Sequence, residues 1–312
     1  MHLIVDLGGT KIRFAPVSDS LRIQGIYTYK SREFKNFFQA LEHFLKESYL
    51  KNINTAVIAV AGPVINGKSL ITNLNWKINK FAIQNKFGFE RVFLLNDLEA
   101  LAWSYFILNS EDFWWLKKEK NKKYPALFIA PGTGLGISFV TKANDNPVIF
   151  PTEAGHVLFS PLKNEEFEFI TFLKKKKRTP SWENALSGKG LMFWYEFFTN
   201  KKLKPEEITS LALQKERQAQ RAVRKIMELL GRKCALMALS VLPKGGIYLA
   251  GGLINGLTEF FLKKSYFKTF FNAYFSVSRK LEYLLDLFSI ALILPQDPVI
   301  LGGLSILRNQ LR

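Results

Sequence analysis

The chain has almost no cysteine: Cys234 is the single thiol in 312 residues. One thiol excludes a disulfide framework and any zinc site built on two or more thiolates, and it predicts a reducing, cytoplasmic setting. Long apolar runs are missing too. None approaches the ~18–20 residues of a membrane span, and the apolar stretch at 284–294 is short and holds Asp286. The opening residues 1–6 lack a basic segment and carry an acid at position six, so no secretory signal is expected. Apolar residues make up 48% and charged residues 22%, enough for a sizeable core without disulfide or metal staples. At roughly 150 residues per domain the length suggests two domains.

Acids are scarce relative to bases. Lys and Arg number 44 against 26 Asp and Glu, a net charge of +18. Such an excess raises the question of nucleic acid. The basic clusters at 117–123 and 174–178 and the pair Lys201-Lys202 have no aromatic residues interleaved at regular spacing. A single-strand binding groove would need them, and no helix-turn-helix, zinc-finger or RNA-binding signature is found. The clusters read as solvated loops, so no specific nucleic-acid partner is expected.

Residues 2–6 read as a buried strand ending at Gly8-Gly9, and 11–17 as its returning partner, with Ile12 and Phe14 on one face. Residues 21–29 read as a third strand. Within 34–50, Phe37, Leu41, Phe44, Leu45 and Tyr49 form a helical stripe. Strands at 55–61 and 91–95 and a helix at 98–108 complete an α/β unit. Residues 109–124 turn polar and Lys-rich, as a domain boundary would. A second strand–glycine turn–strand then spans 126–142 and echoes the opening, which suggests two related domains. A long helix carries the stripe Val223, Ile226, Leu230, Cys234, Met237 and Val241, so Cys234 reads as a buried structural thiol. A strand at 246–250 runs into Gly251-Gly252 and a helix, and a helix at 299–311 closes the chain.

Six clusters have chemical potential. In Asp6-Leu7-Gly8-Gly9-Thr10 a carboxylate ends a strand and two glycines allow a sharp turn whose N–H groups would suit phosphate oxygens; Asp6 could hold magnesium through water. An ordinary hairpin turn is the alternative. Gly132-Thr133-Gly134 lies between two strands, and Gly251-Gly252 starts a helix after a buried strand. Asn96-Asp97 ends a strand, where α/β proteins bind ligands, or it caps the following helix. Glu153-Ala154-Gly155-His156, and Glu183 ahead of 186–190, could exchange hydrogen bonds with sugar hydroxyls, or be loop acids and a core histidine. His43 lies on the amphipathic helix and His2 at the terminus.

Together these segments resemble a bacterial glucokinase of the non-ROK type, in the actin-like, Hsp70 and sugar-kinase superfamily. The similarity runs through DLGGTKIRFA at 6–15, VAGPV at 60–64, TNLNW at 72–76, LLNDLEALA at 94–102 and PGTGLG at 131–136. It continues through PTEAGHVLFSP at 151–161, WENALSGKGL at 182–191, KPEEIT at 204–209, IYLAGGL at 247–253 and DPVILGGLSILR at 297–308. The ROK kinases carry a cysteine-rich zinc motif that a single cysteine excludes, and the N-terminal DNA-binding domain of the related repressors is not expected with the turn already at Asp6.

The resemblance implies an α/β fold of two actin-like (ribonuclease H-like) domains with a cleft between them, 1–108 with 296–312 and 109–295, the C-terminal helix returning to the first. It implies ATP- and magnesium-dependent phosphorylation of glucose at the 6-hydroxyl in a cytoplasmic homodimer. By motif, Asp97 is the catalytic base, and Asn73, Asn96, Asp97, Glu153, His156 and Glu183 hold the sugar. Asp6, Leu7, Gly8, Gly9 and Thr10, with Gly132, Thr133 and Gly134, cradle the phosphates; Gly251 and Gly252 border the adenosine. Another hexose or an amino sugar is the competing substrate, and an inactive sugar-sensing regulator the competing class. Two features depart from the family pattern: Ala154, where Gly is frequent, and the Lys-rich stretch at 174–178.

Overall fold

The computed structural model describes residues 1–50, 52–71, 73–119 and 123–311. Thr72 of the TNLNW segment and residues 120–122 of the first basic cluster lie outside them. The chain divides into two compact units, Met1–Asp112 with Pro295–Arg312, and Phe113–Leu294.

The first unit holds the strands β1 (His2–Leu7), β2 (Lys11–Val17), β3 (Tyr27–Lys30), β4 (Thr55–Val60), β5 (Val64–Ile65), β6 (Lys68–Ile71), β7 (Trp76–Asn79) and β8 (Arg91–Asn96). Its helices are α1 (Phe37–Glu47), α2 (Lys80–Phe87), α3 (Asp97–Trp103) and the C-terminal helix Pro298–Gln310. The main sheet runs β3-β2-β1-β4-β8, with β1, β4 and β8 parallel, β2 antiparallel to β1 and β3 antiparallel to β2. Strand β1 is buried along its whole length because both faces are covered. Leu3, Val5 and Leu7 pack with Phe37, Leu41 and Phe44 of α1, while Ile4 packs with Ala100 of α3 and Ile300, Leu304 and Leu307 of the C-terminal helix.

The second unit contains β9 (Phe113–Lys117), β10 (Ala126–Pro131), β11 (Leu135–Ala143), β12 (Asn146–Thr152), β13 (Ile247–Leu249) and β14 (Ile290–Ile293). Its helices are α4 (Asn164–Lys175), α5 (Trp182–Ala185), α6 (Gly188–Thr199), α7 (Pro205–Leu213), α8 (Arg217–Val241), α9 (Gly252–Phe261), α10 (Lys264–Ser276) and α11 (Glu282–Asp286). The sheet order is β12-β11-β10-β13-β14-β9, with β10, β13 and β14 parallel. Five of its strands repeat the order and the directions of the first sheet, so the echo at 126–142 is a repeated architecture. In helix α8 the predicted stripe is buried at Val223, Ile226, Leu230 and Cys234, while Met237 and Val241 are half-buried against the core. Burial pushes the Cys234 thiol up, which makes it inert.

Three expectations change. The strand expected at 21–29 shrinks to Tyr27–Lys30: a turn closed by Ser18 and Arg22 puts Leu21 in the left-handed region, and Ile23 makes only an isolated bridge to Val17. The helix expected at 98–108 starts at Asp97 and tightens into a 3₁₀ turn at Ser104–Phe106. The segment 109–124 is not all polar linker, since Phe113–Lys117 is an edge strand antiparallel to β14. The lysines around it masked a strand signal in Phe113, Trp114 and Trp115. His2 is buried in β1, as the strand reading of residues 2–6 expects. Among the described residues no helix is long and apolar enough to cross a membrane.

Candidate active site

In the first unit the candidate residues gather at the carboxyl ends of the parallel strands. Register aligns Leu7 with Val60 and Val60 with Asn96, so the ends of β1, β4 and β8 are level. The turn after β1 is closed by the Gly8 N–H donating to the Lys11 carbonyl. Ser31 braces it twice, its hydroxyl donating to the Gly8 carbonyl (2.9 Å) and its N–H to that of Thr10 (3.0 Å). Leu7 is a core residue and can offer a ligand only its backbone, whereas Thr10 is exposed. Asn73 lies beside this turn, since a methyl group on Gly9 would stand 3.3 Å from its Nδ2.

Asp6 is only 7% exposed, and the register places Arg13 directly opposite it on β2. The guanidinium reaches the Asp6 carboxylate at 2.6 Å and also pairs with Asp297, at the start of the C-terminal helix. Burial pushes the Asp6 carboxyl above its ordinary range, and Arg13 pulls the other way. The sequence reading missed Arg13 and Asp297. A two-strand register, with Asp6 and Arg13 equidistant from the turn, was the available signal for the first.

The capping reading holds for Asn96, and Asp97 stands at the carboxyl end of β8, where α3 begins. Asn96 caps α3, its Oδ1 accepting from the Leu98 N–H (2.9 Å), and its Nδ2 donates to the Gly62 carbonyl (3.0 Å). Glu99, in the first turn of α3, accepts from the Asn96 N–H. Burial pushes the Glu99 carboxyl up, with that hydrogen bond opposing. Asp97 is therefore the first residue of a helix fixed at both ends of its opening turn, and its Oδ1 accepts from the Leu98 N–H (3.0 Å).

The second unit brings together Glu153, His156 and Glu183. The His156 Nε2 stands 3.6 Å from Glu153 Oε2 and 4.0 Å from Glu183 Oε2. Glu153 and His156 are each 63% exposed and Glu183 is 22% exposed, so the three present two carboxylates and an imidazole to solvent. The loop is held by its backbone: His156 N–H donates to Glu153 O, and Glu183 N–H to Gly155 O. Ser181 caps α5 by accepting from the Asn184 N–H, which sets Glu183 in the first turn.

The glycine turns of this unit meet at one sheet edge. Gly188 N–H donates to the Gly132 carbonyl (2.8 Å), and a methyl group on Gly132 would lie 3.9 Å from the Gly252 nitrogen. At two of these glycines a side chain would press on a neighbour. A methyl group at Gly134 would sit 2.5 Å from Glu183 Oε2, and Gly251 has φ +97° with the Pro131 carbonyl 2.8 Å from where a Cβ would be. Thr133 is exposed at the tip. The arrangement offers backbone N–H groups and two helix N-termini, of α6 and α9, to an anionic ligand.

Among the described residues no three His, Cys, Asp or Glu side chains converge as a metal cage. Asp6 supplies one buried carboxylate next to the glycine turn. One carboxylate with phosphate oxygens and water is the ordinary magnesium donor set, so these residues fit a magnesium ion carried on nucleotide phosphates and held by Asp6 through water.

The chain matches the glucokinase family model over residues 3–310. It is 30% identical to a glucokinase of Neisseria gonorrhoeae over 320 aligned residues, covering 100% of this chain and 96% of the relative. Its fold is similar to that of a Balamuthia mandrillaris glucokinase in complex with glucose, with a TM-score of 0.84 at 21% identity over 98% of this chain and 93% of the other. A ROK family glucokinase of Streptomyces griseus in complex with glucose and AMPPNP shares the fold at a TM-score of 0.65 and 17% identity, covering 99% of both chains. The architecture is thus the two-unit actin-like α/β fold of sugar kinases.

Proposed function

The chain belongs to the glucokinase family, and from that premise we propose that it transfers the γ-phosphoryl group of ATP to the 6-hydroxyl of glucose. The observation that carries the assignment is the family match from end to end, with an acid at the capped start of α3 and the Glu153–His156–Glu183 cluster in its own loop.

Phosphoryl transfer asks the protein for in-line positioning, charge neutralisation and a place for the hydroxyl proton. The Asp97 carboxylate takes the proton from the 6-hydroxyl as O6 bonds to the γ-phosphorus. The bond from that phosphorus to the β,γ-bridging oxygen breaks, and ADP leaves. Proton loss comes late in a loose transition state, so Asp97 needs no raised basicity. Glu153 and Glu183 accept hydrogen bonds from sugar hydroxyls, and His156 exchanges one with its neighbour. Asn73 and Asn96 line the sugar site. Asn96 does so from a fixed position, since both ends of its amide are already tied to the backbone.

The turns at Asp6–Thr10 and Gly132–Gly134 offer N–H groups to the phosphates, and Gly251 and Gly252 border the adenosine. Magnesium, held by the phosphates and by Asp6 through water, would neutralise phosphate charge when bound. The enzyme is further proposed to work in the cytoplasm as a homodimer, which size-exclusion chromatography with light scattering tests. A coupled ADP-release assay with glucose, mannose, fructose and N-acetylglucosamine tests the activity. Glucose is expected to be turned over with the highest kcat/KM. A higher value for another sugar would reassign the substrate, and no turnover with any would refute the enzyme reading.

A further inference from the structure

Helix α8 buries three cations, and they are not alike. Arg232 pairs through both terminal nitrogens with the two oxygens of Glu166, at 3.0 and 2.8 Å. Lys225 pairs with Glu165, Glu166 and Glu228 at 3.0–3.4 Å. Both follow the rule that a charge taken out of water is matched by a charge. Lys233 does not. It is 3% exposed, and the partners the structure gives it are a backbone carbonyl, Ala154 O at 3.0 Å, and the face of Trp182, whose centroid is 5.1 Å from Nζ. An ammonium so placed is expensive to bury. A Met or Leu at this position would fill the space without that cost.

Its two partners belong to the segments that carry the candidate sugar-binding residues. Ala154 lies between Glu153 and His156, and Trp182 precedes Glu183. Three other backbone groups of this loop are held by neutral partners: Glu153 O by His156 N–H, Ala154 N–H by the Thr152 hydroxyl at 3.3 Å, and Gly155 O by Glu183 N–H. The Ala154 carbonyl is left to Lys233. A charged donor makes the stronger hydrogen bond, and it anchors from beneath the peptide whose flanks present the carboxylate and the imidazole. We propose that Lys233 is a positioning residue of the sugar site, holding the Glu153–His156 loop and the Trp182–Glu183 turn in register from below without touching the sugar. The inference rests on the reading of Glu153, His156 and Glu183 as the sugar-binding cluster.

The test compares the full-length parent with K233M and with K233Q, measuring kcat, the KM for glucose, the KM for ATP and the melting temperature. Loss of the anchor is expected to raise the glucose KM about tenfold, the factor corresponding to a free-energy change of ~1.4 kcal/mol, with kcat and the ATP KM moving by less than about threefold. Because the lysine is costly to bury, K233M is expected to melt no lower than the parent. K233Q is read in the same way, so the conclusion does not depend on one replacement. Two results overturn the proposal: a parent-like glucose KM in both variants, or glucose and ATP KM values that rise together with a lowered melting temperature, as for a merely structural lysine. A parent protein with no glucose-dependent ADP release would refute the reading of the cluster itself, and the role of Lys233 with it.

Discussion

Replacing Lys233 by Met is expected to change how stability depends on pH as well as how the sugar is held. Desolvation lowers the ammonium from 10.5 to about 8, with Cys234 the smaller opposing influence. The difference of about 2.5 units, at about 1.36 kcal/mol each, means that holding the charged form inside the fold costs about 3 kcal/mol at neutral pH. The sign follows from proton counting. Between pH 8 and 10.5 the unfolded chain keeps a proton that the folded chain has released, so stability from this group rises with pH there. Below pH 8 both states are protonated and the cost is complete. Going from about pH 7 to about pH 9.5 should return about 2 kcal/mol to the parent and nothing to K233M, or roughly 4–8 °C in melting temperature for a unit of this size. The tyrosines and the other lysines titrate in both proteins, so the difference between the two melting-temperature shifts isolates Lys233. Thermal melts at the two pH values provide the measurement. Shifts that run parallel in parent and variant would show that Lys233 is hydrated or paired, and the reasoning from its burial would fail.

Four further outcomes are expected. Asp97→Ala should lower kcat by at least ~10²-fold, the usual scale for losing a general base, with melting unchanged beyond the modest effect of one cap-side residue; near-normal turnover would remove Asp97 from the mechanism. Glu183→Ala should weaken glucose binding by ~1–3 kcal/mol, the cost of leaving a desolvated hydroxyl unpaired, while ATP affinity moves far less; isothermal titration separates the two. Arg13→Ala leaves Asp6 and Asp297 facing each other without their shared cation and should destabilise the first unit by about 3 kcal/mol, less at acid pH because burial already makes Asp6 easy to protonate. Replacing Lys174–Lys177 with Ser should weaken salt-sensitive, sequence-indifferent contact with DNA and leave glucose turnover nearly unchanged; a tight complex with one sequence at physiological salt would revive a regulatory role.

What could be read in the sequence was what a strand or a turn requires of its own neighbours. The buried runs at β1 and β4, the glycine turns after β1 and β10, and the stripe on α8 are local demands, and they stand in the fold close to where periodicity placed them. The Asn96-Asp97 pair was legible as a cap because capping is also local. What was missed depends on distant partners. Arg13 is an ordinary alternating residue until the β1–β2 register sets it opposite Asp6 and chain return brings Asp297 beside it. Lys233 looks like one more base on a basic helix, and only the packing of the 153–156 loop against α8 shows it to be buried. The strand at Phe113–Lys117 was hidden by composition, since lysines outside the strand dominated the window used to judge it.

The two units share one frame, and the positions where they differ are informative. In each, three parallel strands end at one edge, β1, β4 and β8 in the first and β10, β13 and β14 in the second, with a glycine turn after the first of the three. The second strand is followed by Ala-Gly in both cases, Ala61-Gly62 and Ala250-Gly251. These shared features serve backbone geometry, and the turns among them are the ones proposed to bind phosphate through N–H groups. The side chains proposed for chemistry fall where the copies diverge. After β8 comes the Asn96 cap that sets Asp97 at the start of α3, whereas β14 is followed by Leu294-Pro295 and no helix begins at its end. Between β3 and β4 there is one α-helix, α1, but between β12 and β13 the chain inserts α4 to α8, and that insertion supplies Glu183 and, on α8, Lys233, the side chain that anchors the loop after β12 bearing Glu153 and His156. A repeated sheet therefore accounts for the glycine turns, and the additions made to one copy or the other carry the side chains proposed for the chemistry and for holding the sugar. For this reason substitutions in the insertion are expected to alter sugar binding before they alter the fold.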